Sequence, residues 1–190
     1  MTQFPIQNGV AIIPQGTTII NDRAFFGCQE LTSVVIPEGV TTIGESAFRD
    51  CFALTNVILP STITHIENSA FAKCSSLTSV NIPNGVVRIG TGAFTACSAL
   101  TSASIPGSAQ DMGHHIFYLC TALKSVEIRE GIKKLECAIF RDCQSLENIS
   151  YLGTMEQWQQ IELDYYWNWN VPAKQVRCFN GNVNIEKSPK

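Results

Sequence analysis

The groups in this sequence best able to do chemistry are thiols, imidazoles and a run of aromatic rings. Six cysteines stand at 28, 51, 74, 97, 120 and 143, each 23 residues from the next. Eight cysteines in all would ordinarily point to a disulfide framework. A 23-residue spacing instead stacks the six on successive rungs about 4.8 Å apart, whereas a disulfide wants Cβ atoms about 3.8 Å apart on converging vectors. Side chains that all point one way make a buried ladder of free thiols, each a small apolar group with a weak donor. Cys137 and Cys178 lie outside the ladder, and their pairing with each other stays open. His114 lies one period before Cys137, so a Cys–His nucleophile is open to geometry, but no third group is placed to orient the imidazole. A metal set drawn from His114, His115, Glu136 and Cys137 has mixed ligands and no recognised zinc spacing. His65 stands alone, and there is no phosphate loop, GxSxG elbow or HExxH. The expectation is no catalytic residue, no metal and no cofactor.

The elements that position these groups follow from the same period. Proline recurs at 14, 37, 60, 83 and 106, with Arg129 in the next slot. Phenylalanine recurs at 25, 48, 71, 94, 117 and 140, and leucine at 31, 54, 77, 100, 123 and 146. An unbroken period of this length marks a solenoid. Within a repeat, residues 32–36 read as a short strand with Val34 and Ile36 on one face and Ser33 and Val35 on the other. Proline then ends the strand because it cannot donate to the ladder. Gly16, Gly39, Gly85 and Gly131 follow in the slot two residues on, where a turn calls for positive φ. Residues 40–43 read as a second short strand. Residues 46–51 are too short for an autonomous helix and read as one helical or 3-10 turn held down by Phe48. A single rung cannot bury Val40, Ile43, Phe48, Cys51, Leu54, Val57 and Leu59; stacked rungs can, at about 1.5–3 kcal/mol per large side chain.

The pattern Ile36-Pro37-x-Gly39-Val40-Thr41-x-Ile43-Gly44-x-x-Ala47-Phe48-x-x-Cys51-x-x-Leu54-Thr55-x-Val57 resembles the BspA-type leucine-rich repeats, and the resemblance covers residues 14–151. It implies a leucine-rich-repeat solenoid, a right-handed superhelix of mainly short parallel strands. That family is found in surface proteins of Bacteroidales, other host-associated bacteria and some parasitic protists. It is associated with adhesion to host proteins, including matrix proteins, and has no general catalytic activity. The resemblance therefore implies a non-enzymatic, adhesin-like module at a cell surface or secreted, with a protein ligand on a host surface or in its matrix. It carries no invariant binding residues.

Three segments follow. Residues 1–13 are a lead-in, with Ala11 and Ile13 matching Val34 and Ile36 but the Phe and Cys slots missing. Residues 14–151 are six repeats, and residues 152–190 are a C-terminal cap and tail. Thr154 and Gln157 fit a capping box, opening a helix of about two turns with Trp158 and Ile161 on one face. Residues 176–181 read as a strand into a turn, and Glu186 to Lys190 as a disordered tail. The form Tyr151-x-Gly153-Thr154-x-x-x-Trp158-x-x-Ile161 is similar to the closing segment of many proteins in the family.

Candidate binding residues fall in three places. The outward strand positions form columns, Ser33, Asn56, Ser79, Ser102, Ser125, Asn148 and Val35, Ile58, Asn81, Ser104, Glu127, Ser150. Solenoids bind through such faces, and solubility alone would also select small polar residues there. Val35 and Ile58 make an apolar spot that the N-terminal segment would cover. The repeat at 106–128 departs most from the pattern: His114 and His115 precede Ile116, and Tyr118 and Leu119 fill slots held by Arg49 and Asp50 in an earlier copy. Large apolar residues there read either as a contact site or as drift in one tolerated repeat. Tyr165, Tyr166, Trp167 and Trp169 read either as a cap over the last rung or as planes for a sugar or protein. Columns Arg88, Asp111, Lys134 and Lys124, Glu147 alternate in sign and read as rung-to-rung ion pairs of about 0–1 kcal/mol each. A net charge of −3 argues against nucleic acid, no 18-residue apolar run argues for a membrane span, and no signal peptide is visible. The competing classes are a carbohydrate-binding module using the C-terminal aromatics and an intracellular scaffold.

Overall fold

The computed structural model describes residues 4–185, so the expected tail at 186–190 lies outside the described residues. The chain winds into a β-solenoid of about seven turns. One ladder runs through Val10–Ile12, Ser33–Val35, Asn56–Ile58, Ser79–Val80, Ser102–Ile105, Ser125–Ile128, Asn148–Tyr151 and Gln175–Cys178. Its strands pair in parallel with a 23-residue register, as in Ser33 with Asn56 and Ser102 with Ser125. Its hydrogen bonding divides it into a four-stranded and a six-stranded sheet. An antiparallel strand closes each end, Ile6–Gln7 on the first and Gly181–Asn184 on the last. A second ladder holds Ile19–Ile20, Thr42–Ile43, His65–Ile66, Arg88–Ile89 and Asp111–Met112, then breaks before Lys134–Leu135 and Glu162–Leu163. The break falls at the divergent repeat.

The third side of each coil takes a specific form. In residues 46–51 the amides alternate. Those of Ala47, Arg49 and Cys51 donate three residues back, while those of Ser46, Phe48 and Asp50 donate to Asn68, Ala70 and Ala72 of the next coil. The single turn expected here is thus also a rung of a third ladder. The alternation requires two left-handed residues per coil. They are Arg23 and Gly27, Ser46 and Asp50, Ser69 and Lys73, Gly92 and Ala96, His115 and Leu119, Ala138 and Asp142, Tyr166 and Asn170. In the proline-following slot, Gly16, Gly39 and Gly131 have positive φ, and Gly85 does not.

The core is a set of columns. Phe25, Phe48, Phe71, Phe94, Phe117 and Phe140 are fully buried and stack with centroids 5.0–5.8 Å apart and planes within 14°. Phe4 covers the first ring at 6.1 Å, supplying the phenylalanine that the lead-in lacks at its repeat slot. Trp167 closes the other end edge-on to Phe140 at 6.3 Å. All eight cysteines are free, Cys137 and Cys178 included. The ladder thiols of Cys51, Cys74, Cys97, Cys120 and Cys143 donate to the carbonyls of Phe25, Phe48, Phe71, Phe94 and Phe117 at 3.0–3.2 Å. Burial pushes Cys51 and Cys143 up to about 12, so these thiols are hydrogen-bond donors and not nucleophiles. On the surface, Thr55, Thr78 and Thr101 turn their hydroxyls onto the carbonyl of the preceding threonine in their own column.

The chain continues past residue 151 as another, longer coil. Lys134 pairs with Glu162, a spacing of 28 in place of 23, and the added length holds helix α1 (Met155–Trp158). The capping box forms, with the Gln157 amide donating to the Thr154 hydroxyl and the Thr154 amide to Gln157 Oε1. The expected two turns are corrected to one. Trp158 is pulled into the core against Tyr151 and Trp167, and Ile161 lies beyond the helix.

Candidate functional site

The ladder of longer strands carries the small polar columns outward. Ser79, Asn81 and Ser102 are exposed, and Ser125 and Glu127 are half-buried. Ser104 is a correction. It is buried, donating to Asn81 Oδ1 at 3.0 Å and accepting from the Ile82 amide at 3.3 Å. The expectation that the N-terminal segment covers the apolar spot is also corrected. Ile6–Gln7 pairs at the sheet edge, leaving Val35 and Ile58 55% and 72% exposed, with Ile12 beside them at 66%. At the C-terminal end of the predicted columns, Asn148 and Ser150 join Lys174, Gln175 and Arg177 in lining an open concavity of about 570 Å³.

The turn side brings together two sets that lie about 50 residues apart in sequence. The His115 amide donates to Cys137, and that of Ala138 to Tyr165. The Leu119 amide donates to Arg141, and that of Asp142 to Trp169. The divergent repeat and the aromatic run therefore meet across one intervening coil. The Arg141 guanidinium sits over the Tyr118 ring at 5.7 Å, and His115 meets the same ring edge-on at 5.5 Å. Arg141 Nε is buried without a hydrogen bond, 3.4 Å from the Asp142 carboxylate, which Asn170 Nδ2 also reaches at 2.8 Å. Tyr166 meets Trp169 edge-on at 5.3 Å. Leu119, Tyr165 and Tyr166 are exposed, and Tyr118 and Trp169 are half-buried. Trp167 is a further correction, because it is buried at 4% exposure as the closing ring of the core and offers no face to a ligand. Partial burial, with His114 and Arg141 close by, holds the His115 imidazole below its ordinary pKa, so it is mainly neutral near pH 7. Arg141 was not among the predicted residues. Its slot, shared with Tyr118 one period earlier, was the signal that could have found it.

The charged columns form only in part. Arg88 pairs with Asp111 and, at 3.0 Å, with Glu67. Lys134 turns away from Asp111, whose ladder has ended, to Glu136 and Glu162 at 3.3 Å and Asp164 at 3.9 Å. No ion pair joins Lys124 to Glu147 among the described residues. His114 Nδ1 lies 3.7 Å from Glu136 Oε2. No helix of the described chain is long and apolar enough to cross a membrane.

The fold is shared with bacterial proteins of known structure. A leucine-rich repeat protein of T. pallidum is 28% identical, with a TM-score of 0.73 over 86% of this chain and 78% of that one. The pneumococcal vaccine antigen PcpA is 18% identical, with a TM-score of 0.62, and this chain spans 92% of itself but 42% of the antigen. No curated protein matches. The model of the BspA type leucine-rich repeat region matches in six copies, over residues 8–121 and 66–169. On that match, which takes in the phenylalanine, cysteine and leucine columns described above, the chain belongs to the BspA-type leucine-rich repeat family.

Proposed function

We propose that this chain is a non-catalytic, adhesin-like module, at a cell surface or secreted, that binds a protein of a host surface or matrix through the turn side of its last three coils. The family supports the class, since leucine-rich-repeat solenoids are protein-interaction modules. The observation that carries the site is a choice of residue against backbone preference. His115, Leu119 and Tyr166 hold φ of 60°, 60° and 57°, a conformation that costs a side-chain-bearing residue about 1–2 kcal/mol. Earlier coils fill the same slots with small or charged residues such as Ser69, Gly92 and Ala96. His115 is half-buried, and Leu119 and Tyr166 are 36% and 39% exposed, so rings and a leucine at strained positions each keep part of a large side chain at the surface, and a contact surface is what they supply.

The test is binding to a panel of immobilised host matrix proteins beside a glycan array, with wild type and a Tyr118→Arg/Leu119→Asp variant. Protein binding lost in the variant, with unchanged circular dichroism, supports the reading. A second reading, a carbohydrate-binding surface, rests on Tyr165, a residue 74% exposed. Glycan binding that survives in the variant and disappears with Trp169→Ala would put that reading first. Silence on both arrays would favour an architectural scaffold.

A further inference from the structure

We propose that His114, Glu136 and Asp164 form a binding site for a divalent cation of the zinc class, tying three successive coils together. The three residues come from three coils, and one ligand atom from each lies within 4.8 Å of the other two. Ligands around a zinc ion, at about 2.0–2.2 Å from it, stand about 3–4 Å from one another, so a small inward movement completes the set. His114 Nδ1 and Glu136 Oε2 are already 3.7 Å apart. Asp164 uses Oδ1 to accept from the Tyr165 amide, which fixes the carboxylate and turns Oδ2 toward the Lys134 ammonium at 3.9 Å, the charge an ion would displace. One imidazole and two carboxylates favour zinc over calcium, which takes six to eight oxygens. The electrostatics also want a cation. Glu136, Glu162 and Asp164 surround a single ammonium, that of Lys134, leaving an excess of negative charge. Lys134 is thus the competitor, and Glu162 is the partner it keeps when an ion enters.

The experiment is calorimetric titration of the full chain with Zn²⁺, and with Mg²⁺ as comparison. The expected result is one Zn²⁺ per chain and little Mg²⁺. His114→Ala and Asp164→Asn should each weaken binding by about tenfold or more. Lys134→Met should tighten it, a sign that no purely structural role predicts. Cys137→Ser should leave it unchanged, with circular dichroism confirming the fold of each variant. The proposal is overturned by no uptake at about 1 mM Zn²⁺, by weaker binding in Lys134→Met, or by binding that survives His114→Ala and is lost in Cys137→Ser.

Discussion

Replacing Phe71 by alanine should break the solenoid into two halves that unfold separately. Phe71 is fully buried, stacked on Phe48 at 5.0 Å and on Phe94 at 5.2 Å. Removing a buried phenylalanine side chain costs about 3–5 kcal/mol, and each lost ring pair adds about 0.5–1.5 kcal/mol. The total of about 4–8 kcal/mol is a large part of the 5–15 kcal/mol by which domains are stable. The cavity cannot collapse readily, because both neighbouring rings are held by their own coils. In a solenoid each coil touches only the next, so the loss falls on one nearest-neighbour coupling. The sequence supplies a local reporter, since all three tryptophans, Trp158, Trp167 and Trp169, lie in the last coil. Urea unfolding followed by far-ultraviolet circular dichroism reads the whole array, while tryptophan fluorescence reads its C-terminal end. In the wild type the two transitions should coincide. In Phe71→Ala the dichroism should fall first, with the fluorescence transition at higher urea. Phe4→Ala is the control, with one ring contact and a cost of about 1–2 kcal/mol. Coincident transitions in Phe71→Ala, with a loss under about 2 kcal/mol, would refute the view that the ring stack couples the coils.

Thiol labelling of the native protein should modify Cys28 and Cys137, which are partly exposed, while the five buried ladder thiols react only when the chain unfolds. Leu119→Gly should leave the stability unchanged or raise it by up to about 1 kcal/mol, since relief at φ 60° outweighs the entropy of glycine, while ligand binding falls; a clear loss of stability in thermal unfolding would show that Leu119 serves the fold. Gly107→Ala should lower the melting temperature sharply, because an added Cβ would meet the Glu130 carbonyl oxygen at 1.7 Å. The Ser61 amide, aided by its hydroxyl, holds Glu38 below the usual carboxylate range. A depressed folded pKa contributes stability above the unfolded value that is lost as pH falls through the folded one, so Glu38→Gln should flatten the acid side of the stability curve.

Much of this protein is legible in one dimension because a solenoid converts sequence period into spatial adjacency. The 23-residue spacing of Phe48, Cys51 and Leu54 identified the core columns, and the alternation of Ser33, Val34 and Val35 placed one outward face, since side chains 23 apart must stack and neighbours on a strand must face opposite ways. The same logic failed wherever the period changed or where backbone geometry carried the information. Three-dimensional structure alone showed that Ser104 turns inward to bond Asn81, and that the thiols donate to phenylalanine carbonyls 26 residues earlier. The 28-residue spacing into the last coil hid from the 23-residue offset that Trp169 lies against Asp142, next to the Arg141 that covers Tyr118. The same shift concealed Asp164 as the third member of the cluster with His114 and Glu136. The sequence by itself therefore determined the fold and its buried columns, which depend on repetition. Tertiary structure decided the candidate site, because that site lies where repetition stops and an inserted helical turn resets which residues become neighbours.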